Sequence, residues 1–189
     1  MAIKIVTGVT GTAHVTSADD RGLNAGMMGA DSYVLGIGNK FDFVIVSNNK
    51  IRIKDGEMLI QGCHARLEAN TTQDCNIDTG TSGKKRTDLI VARYAFDSVS
   101  GHESVSLVVI KGTPGNNYVT PSHNTGDIRT GSTVVDFPLY KVNINGLNIE
   151  SVETLFMVAV PATIFICTEA VHAVKAAQYP NAFFAIIPE

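Results

Sequence analysis

The stretch Thr87–Thr113, TDLIVARYAFDSVSGHESVSLVVIKGT, constrains the fold more than any other part of the chain. Leu89, Val91 and Arg93 alternate with Ile90, Ala92 and Tyr94. Beyond Ser98-Val99-Ser100-Gly101, Val105, Leu107 and Val109 alternate with Ser106, Val108 and Ile110. Period-2 runs rich in β-branched residues, joined by a Gly-containing loop, predict an antiparallel hairpin. The hairpin carries no chemistry of its own and reads as scaffold.

Strand signals continue on both sides. Phe41–Ser47 predicts a strand, and Asn48-Asn49 a tight turn whose residues tolerate positive φ. Lys50–Lys54 and Glu57–Ile60 read as two strands of a hairpin turning at Asp55-Gly56. Gly62–Ala69 and Thr72–Ile77 read as a further pair, and Thr79–Lys85 as a loop. Val134–Ile144 is a strand in which Pro138 marks an edge or a bulge. Asn145-Gly146 turns into Leu147–Val152. Short strands at regular spacing predict a mainly β fold, an antiparallel β-sandwich or barrel.

The ends differ from the middle. Ile3–Val9 alternates as a first strand. Thr10–Asp31, dense in Gly, Ser, Asp and Asn, reads as an ordered arm or long loop and not as a helix. Thr113–Gly131 is a Pro/Gly-rich excursion. After Pro161 the pattern changes to strand (Ala162–Cys167), helix from an N-cap at Thr168, and strand (Ala182–Ile187). The expected division is an N-terminal arm over residues 1–32, a β-sandwich over 33–160, and a small C-terminal β-α-β appendix over 161–189.

Composition narrows function. Of 189 residues, 44% are hydrophobic and 17% charged, an apolar surplus that implies a large core or surfaces facing other subunits. A net charge of −3 and a pI near 5.9 give no basic field for nucleic acid. No apolar run reaches the ~20 residues of a membrane span. Leu155–Cys167 is too short and is broken by Pro161. The N-terminal MAIKIVTGVTG lacks the apolar core of a signal peptide, so synthesis in a host cytoplasm without Sec export is expected. Cys63, Cys75 and Cys167 are odd in number and widely spaced, and read as free thiols.

Each candidate for chemistry has a plainer reading. His14, Asp19 and Asp20 lack the second ligand cluster that a metal site needs. His102-Glu103-Ser104 has the residue types of a triad, but neighbours in a strand point to opposite faces. Gly80–Lys85 fails the P-loop spacing, and Gly36-Ile37-Gly38 lacks a third glycine. Lys84-Lys85-Arg86 reads as a solvated loop. Asn70-Thr71-Thr72 is a glycosylation sequon by pattern only. Arg86 and Asp88 share a strand face and are expected to pair, whereas Asp88 and Arg93 lie on opposite faces. No catalytic, cofactor-binding or metal residue is assigned. A saccharide site needs an aromatic platform with convergent polar groups, and the chain has 7% aromatic residues and no Trp.

Five stretches together resemble tail and baseplate structural proteins encoded by phages and prophages of Gram-positive bacteria. They are HVTSADDRGLNAGMMG (His14–Gly29), VSNNKIRIKDGEMLIQGCHARL (Val46–Leu67), KRTDLIVARY (Lys85–Tyr94), SLVVIKGTP (Ser106–Pro114) and FPLYKVNINGLNI (Phe137–Ile149), in that order. ATIFICTEA and YPNAFFAIIPE, within Ala162–Glu189, look like a short tail-fibre element. The sequence departs from that pattern at Cys63, where a polar or small residue is usual, and at Ala182, where Thr is common.

The resemblance implies a virion component in a phage tail, baseplate or tail fibre, with no enzymatic activity, no cofactor and no catalytic residue to carry over. It implies a homo-oligomer, with a trimer favoured, whose partners are further copies of itself and other tail or baseplate proteins. Host cell-wall saccharide is a further candidate partner. The alternatives are a carbohydrate-binding adhesin and a head-decoration fibre.

Overall fold

A computed structural model describes residue 6 and residues 15–159, 164–178 and 183–187. The chain divides into two compact units, residues 1–159 and 160–189. The larger unit opens with helix α1 (Ser17–Met28), followed by β1 (Tyr33–Leu35), β2 (Phe43–Ser47), β3 (Lys50–Ile60) and β4 (Cys63–Asn76). It continues through β5 (Lys85–Asp97), β6 (His102–Ile110), β7 (Val134–Asn145), β8 (Asn148–Thr154) and β9 (Val158–Ala159). One sheet joins β2, β3, β1 and β9 in that order, with β4 also on β3. The other runs β6-β5-β7-β8. Residues of both sheets, among them Ile51, Ile60, Ile90 and Tyr140, form one hydrophobic cluster. The fold is mainly β and sandwich-like, as the alternation of the sequence predicts.

The Thr87–Thr113 hairpin is present as β5 and β6, in register from Leu89 opposite Ile110 to Asp97 opposite His102. β5 is buried on both faces. Ile90 and Ala92 are in the shared core, while Leu89 and Val91 are buried on the opposite face.

Two expected hairpins are corrected. Asp55-Gly56 is no turn: β3 runs unbroken from Lys50 to Ile60, and the register against β4 shifts between Lys54 and Gly56. Between these two pairs β3 advances two residues and β4 five, and the core-facing positions of β3 change from odd to even. Ile51 and Ile53 before the shift and Met58 and Ile60 after it therefore all reach the core. Likewise Gly62–Ala69 and Thr72–Ile77 are not two strands but the single β4, irregular around Asn70 at φ 62. The true β3–β4 turn is Gln61-Gly62, with φ 50 and 86. Asn48-Asn49 does turn the chain, without positive φ at either residue. Pro138 sits at a bulge, where the β5–β7 register shifts, so that Val135 and Phe137 share the core with Tyr140, Val142 and Ile144.

The stretch expected to be a loop, Thr10–Asp31, contains α1. Thr16 is its N-cap and forms a capping box with Asp19, each side chain accepting from the other's backbone N–H. The Gly and Asp content that hides the helix is surface content: none of its residues is buried. The expected strand Ile3–Val9 lies outside the described residues apart from Val6, and so does His14.

In the smaller unit, β10 (Ile164–Cys167) and β11 (Phe183–Ile186) pair in parallel around helix α2 (Glu169–Lys175). This is the expected β-α-β unit. Thr168 is the N-cap residue, though its side chain makes no capping bond.

Candidate functional site

A groove of about 480 Å3 lies where α1 meets the two sheets. The Gln61-Gly62 turn places the helix. A Cβ on Gly62 would lie 2.3 Å from the Arg21 carbonyl oxygen, so only glycine lets the helix backbone come this close. The Asn24 side chain donates to the Gly62 carbonyl at 3.0 Å. Arg21 crosses to β6 and donates from one terminal nitrogen to both Glu103 oxygens, at 2.7 and 2.9 Å. Tyr94 of β5 donates its hydroxyl to the same carboxylate at 2.7 Å. The helix thus ties the β3–β4 turn to β6.

The electrostatics follow from this network. Burial, reinforced by the neighbouring Glu103 carboxylate, pushes the Tyr94 phenol up to about 12. Burial works to raise Glu103, but hydrogen bonds from Tyr94 and Ser17 and the Arg21 guanidinium outweigh it and hold the carboxyl below its ordinary value. Glu103 is therefore a fixed anion. Burial also raises the Cys63 thiol, which keeps it protonated and a poor nucleophile. On the rim, His64 shares a hydrogen bond of 2.7 Å with Glu57. The groove offers fixed hydrogen-bonding groups rather than a poised acid–base pair.

Two further clusters pin long loops to the sheet. Arg86 and Asp88 are both buried and bonded at 2.8 and 3.0 Å, as their shared face predicts. Arg86 also donates to the carbonyls of Asp78 and Thr79, and Asp88 accepts from the Gly112 N–H. On the other face, buried Asp136 takes two bonds from Arg93 and two from Asn124, one from its backbone and one from its side chain. These bonds anchor the Pro/Gly-rich loop. Burial pushes Asp136 up, yet Arg93 and Asn124 together bring it below its usual value.

The sequence candidates fall as follows. Asp19 caps α1, and Asp20 lines the groove. Of His102-Glu103-Ser104, Glu103 alone joins the network, and no described group of three or more His, Cys, Asp or Glu is arranged to hold a metal. Lys84-Lys85-Arg86 is not a solvated loop. Lys84 bonds Asn116, Lys85 opens β5 with its ammonium 5.0 Å from the Tyr118 ring, and Arg86 is buried. Gly38 turns at φ 61 against the Asp55 carboxylate. Cys63, Cys75 and Cys167 are free thiols. The Arg21–Glu103 and Arg93–Asp136 pairs have no local sequence signal, because their partners are 82 and 43 residues apart.

No protein-family model matches the chain, and no curated protein matches it.

Proposed function

We propose that the chain is a non-enzymatic structural component of a phage tail or baseplate, assembling as a homo-oligomer, with a trimer favoured. The order of the five stretches from His14 to Ile149 supports the family. The observation that carries assembly is β2. Among the described residues it pairs with β3 alone, and its Val44, Ile45 and Val46 are each 46–47% exposed. An unpaired edge strand with three consecutive apolar residues is an aggregation hazard for a free monomer. In an assembled particle the same edge is covered. α1 carries a second exposed apolar patch, because Leu23 and Met27 stand 59% and 74% exposed on the side away from Arg21.

The function of such a part is mechanical. The Arg–Asp latches hold the loops rigid, the sandwich carries them, and the apolar edges join neighbours. Peptide mass spectrometry of purified particles from a strain carrying the gene tests the reading. Peptides of this chain at the abundance of known tail proteins are expected, and their absence from intact particles contradicts it.

A further inference from the structure

The loop between β1 and β2 holds two consecutive non-glycine residues in the left-handed region, Lys40 at φ 56 and Phe41 at φ 58. Each such residue costs on the order of 1–3 kcal/mol. For Phe41 the fold gives a return. Its ring is buried, its N–H donates to the Asp55 carbonyl at 3.1 Å, and its own carbonyl accepts from the Tyr140 hydroxyl at 2.7 Å. For Lys40 there is no such return, because its side chain is exposed and makes no ion pair among the described residues.

This strained loop lines a cavity of about 420 Å3, together with Tyr140, Thr154 and Phe156. Half-buried Phe156 is fixed edge-on against Tyr140, with ring centroids 5.6 Å apart. Asp42 accepts from the Lys54 ammonium and from the Phe43 N–H, both at 2.9 Å. A carboxylate has about four acceptor positions, so two stay open. Asn39 spends its NH2 group on the Asp55 carboxylate and keeps its carbonyl oxygen. The Thr154 hydroxyl and the Lys40 ammonium have no partner among the described residues.

We propose that this cavity binds a saccharide. An immobilised aromatic ring suits the C–H face of a pyranose, and an open carboxylate, amide oxygen, hydroxyl and ammonium around it suit its hydroxyls. The mixed signs of Asp42 and Lys40 disfavour a simple anion or cation, and the polar lining disfavours an apolar ligand. The left-handed Lys40 is then the cost of aiming a donor at the ligand. The inference goes beyond assembly and does not rest on the tail reading.

The full-length protein is screened on an array of neutral and N-acetylated oligosaccharides, and the best binder is titrated by calorimetry. Phe156→Leu, which keeps the side chain apolar but removes the ring, and Asp42→Asn, which is exposed, are each expected to weaken binding about tenfold or more. Arg66→Ala, in the groove beside α1, is expected to leave it unchanged. An array without binders overturns the proposal. So does binding that both Phe156→Leu and Asp42→Asn leave intact. Oligomer mass, measured separately, reports on assembly alone.

Discussion

Gly56 shows how one residue is fixed by its neighbours rather than by its own dihedrals. Its φ is not positive, yet a Cβ there would sit 2.6 Å from the Phe41 backbone nitrogen and 2.8 Å from its ring. Gly56→Val is therefore expected to destabilise the protein by about 1–3 kcal/mol through overpacking, read from urea unfolding. An unchanged midpoint contradicts the close approach. Asp88→Ala leaves the Arg86 guanidinium buried without its counter-charge, and a loss of about 3–5 kcal/mol is expected in the same assay. Asp136 makes the stability depend on pH. Its folded value lies below the ordinary 3.8, so its contribution is present above that value and disappears as the pH falls through the lower folded one. Asp136→Asn is expected to flatten the acid limb of the stability–pH curve and to expose residues 113–127 to protease at neutral pH. An acid limb identical to wild type contradicts the latch.

At the scale of elements, the sequence tells strand from non-strand well and strand from turn poorly. The alternation in Leu89–Tyr94 and Val105–Ile110 is legible because nothing interrupts it. In β3 the Asp-Gly dipeptide imitates a hairpin turn, while its work is to flip parity so that Ile53 and Met58 face the same core. Only the partner strand distinguishes the two, and no local pattern contains it. α1 fails for the opposite reason. Its inward side carries Arg21, Asn24 and Ala25 and its outward side Leu23 and Met27, so no apolar face points at the core. Polar tethers hold it, and they are testable. In the double variant Arg21→Ala/Asn24→Ala, amide exchange in α1 is expected to accelerate markedly while β5 amides keep their protection. Unchanged protection in α1 contradicts the tethering. The candidate sites were illegible for the same reason, because the cavity beside Phe156 gathers residues from three separate stretches, 38–42, 140 and 154–156.

For the whole molecule, the apolar surplus of the composition has a visible destination. Part fills the single core of the larger unit, and part stays outside, on β2 and α1 and at Val171, Val174 and Ile186 of the smaller unit. Truncation after Val160 is expected to leave a soluble protein with its β circular-dichroism signal and an altered oligomer mass. Aggregation of the shortened chain contradicts a separable second unit. The central claim is that the exposed apolar edges belong to an assembly of identical copies. Light scattering on the full-length protein at micromolar concentration measures this most directly. The account predicts a stable species at a multiple of 20.2 kDa, three-fold for the favoured trimer, and a sole species at 20.2 kDa contradicts it.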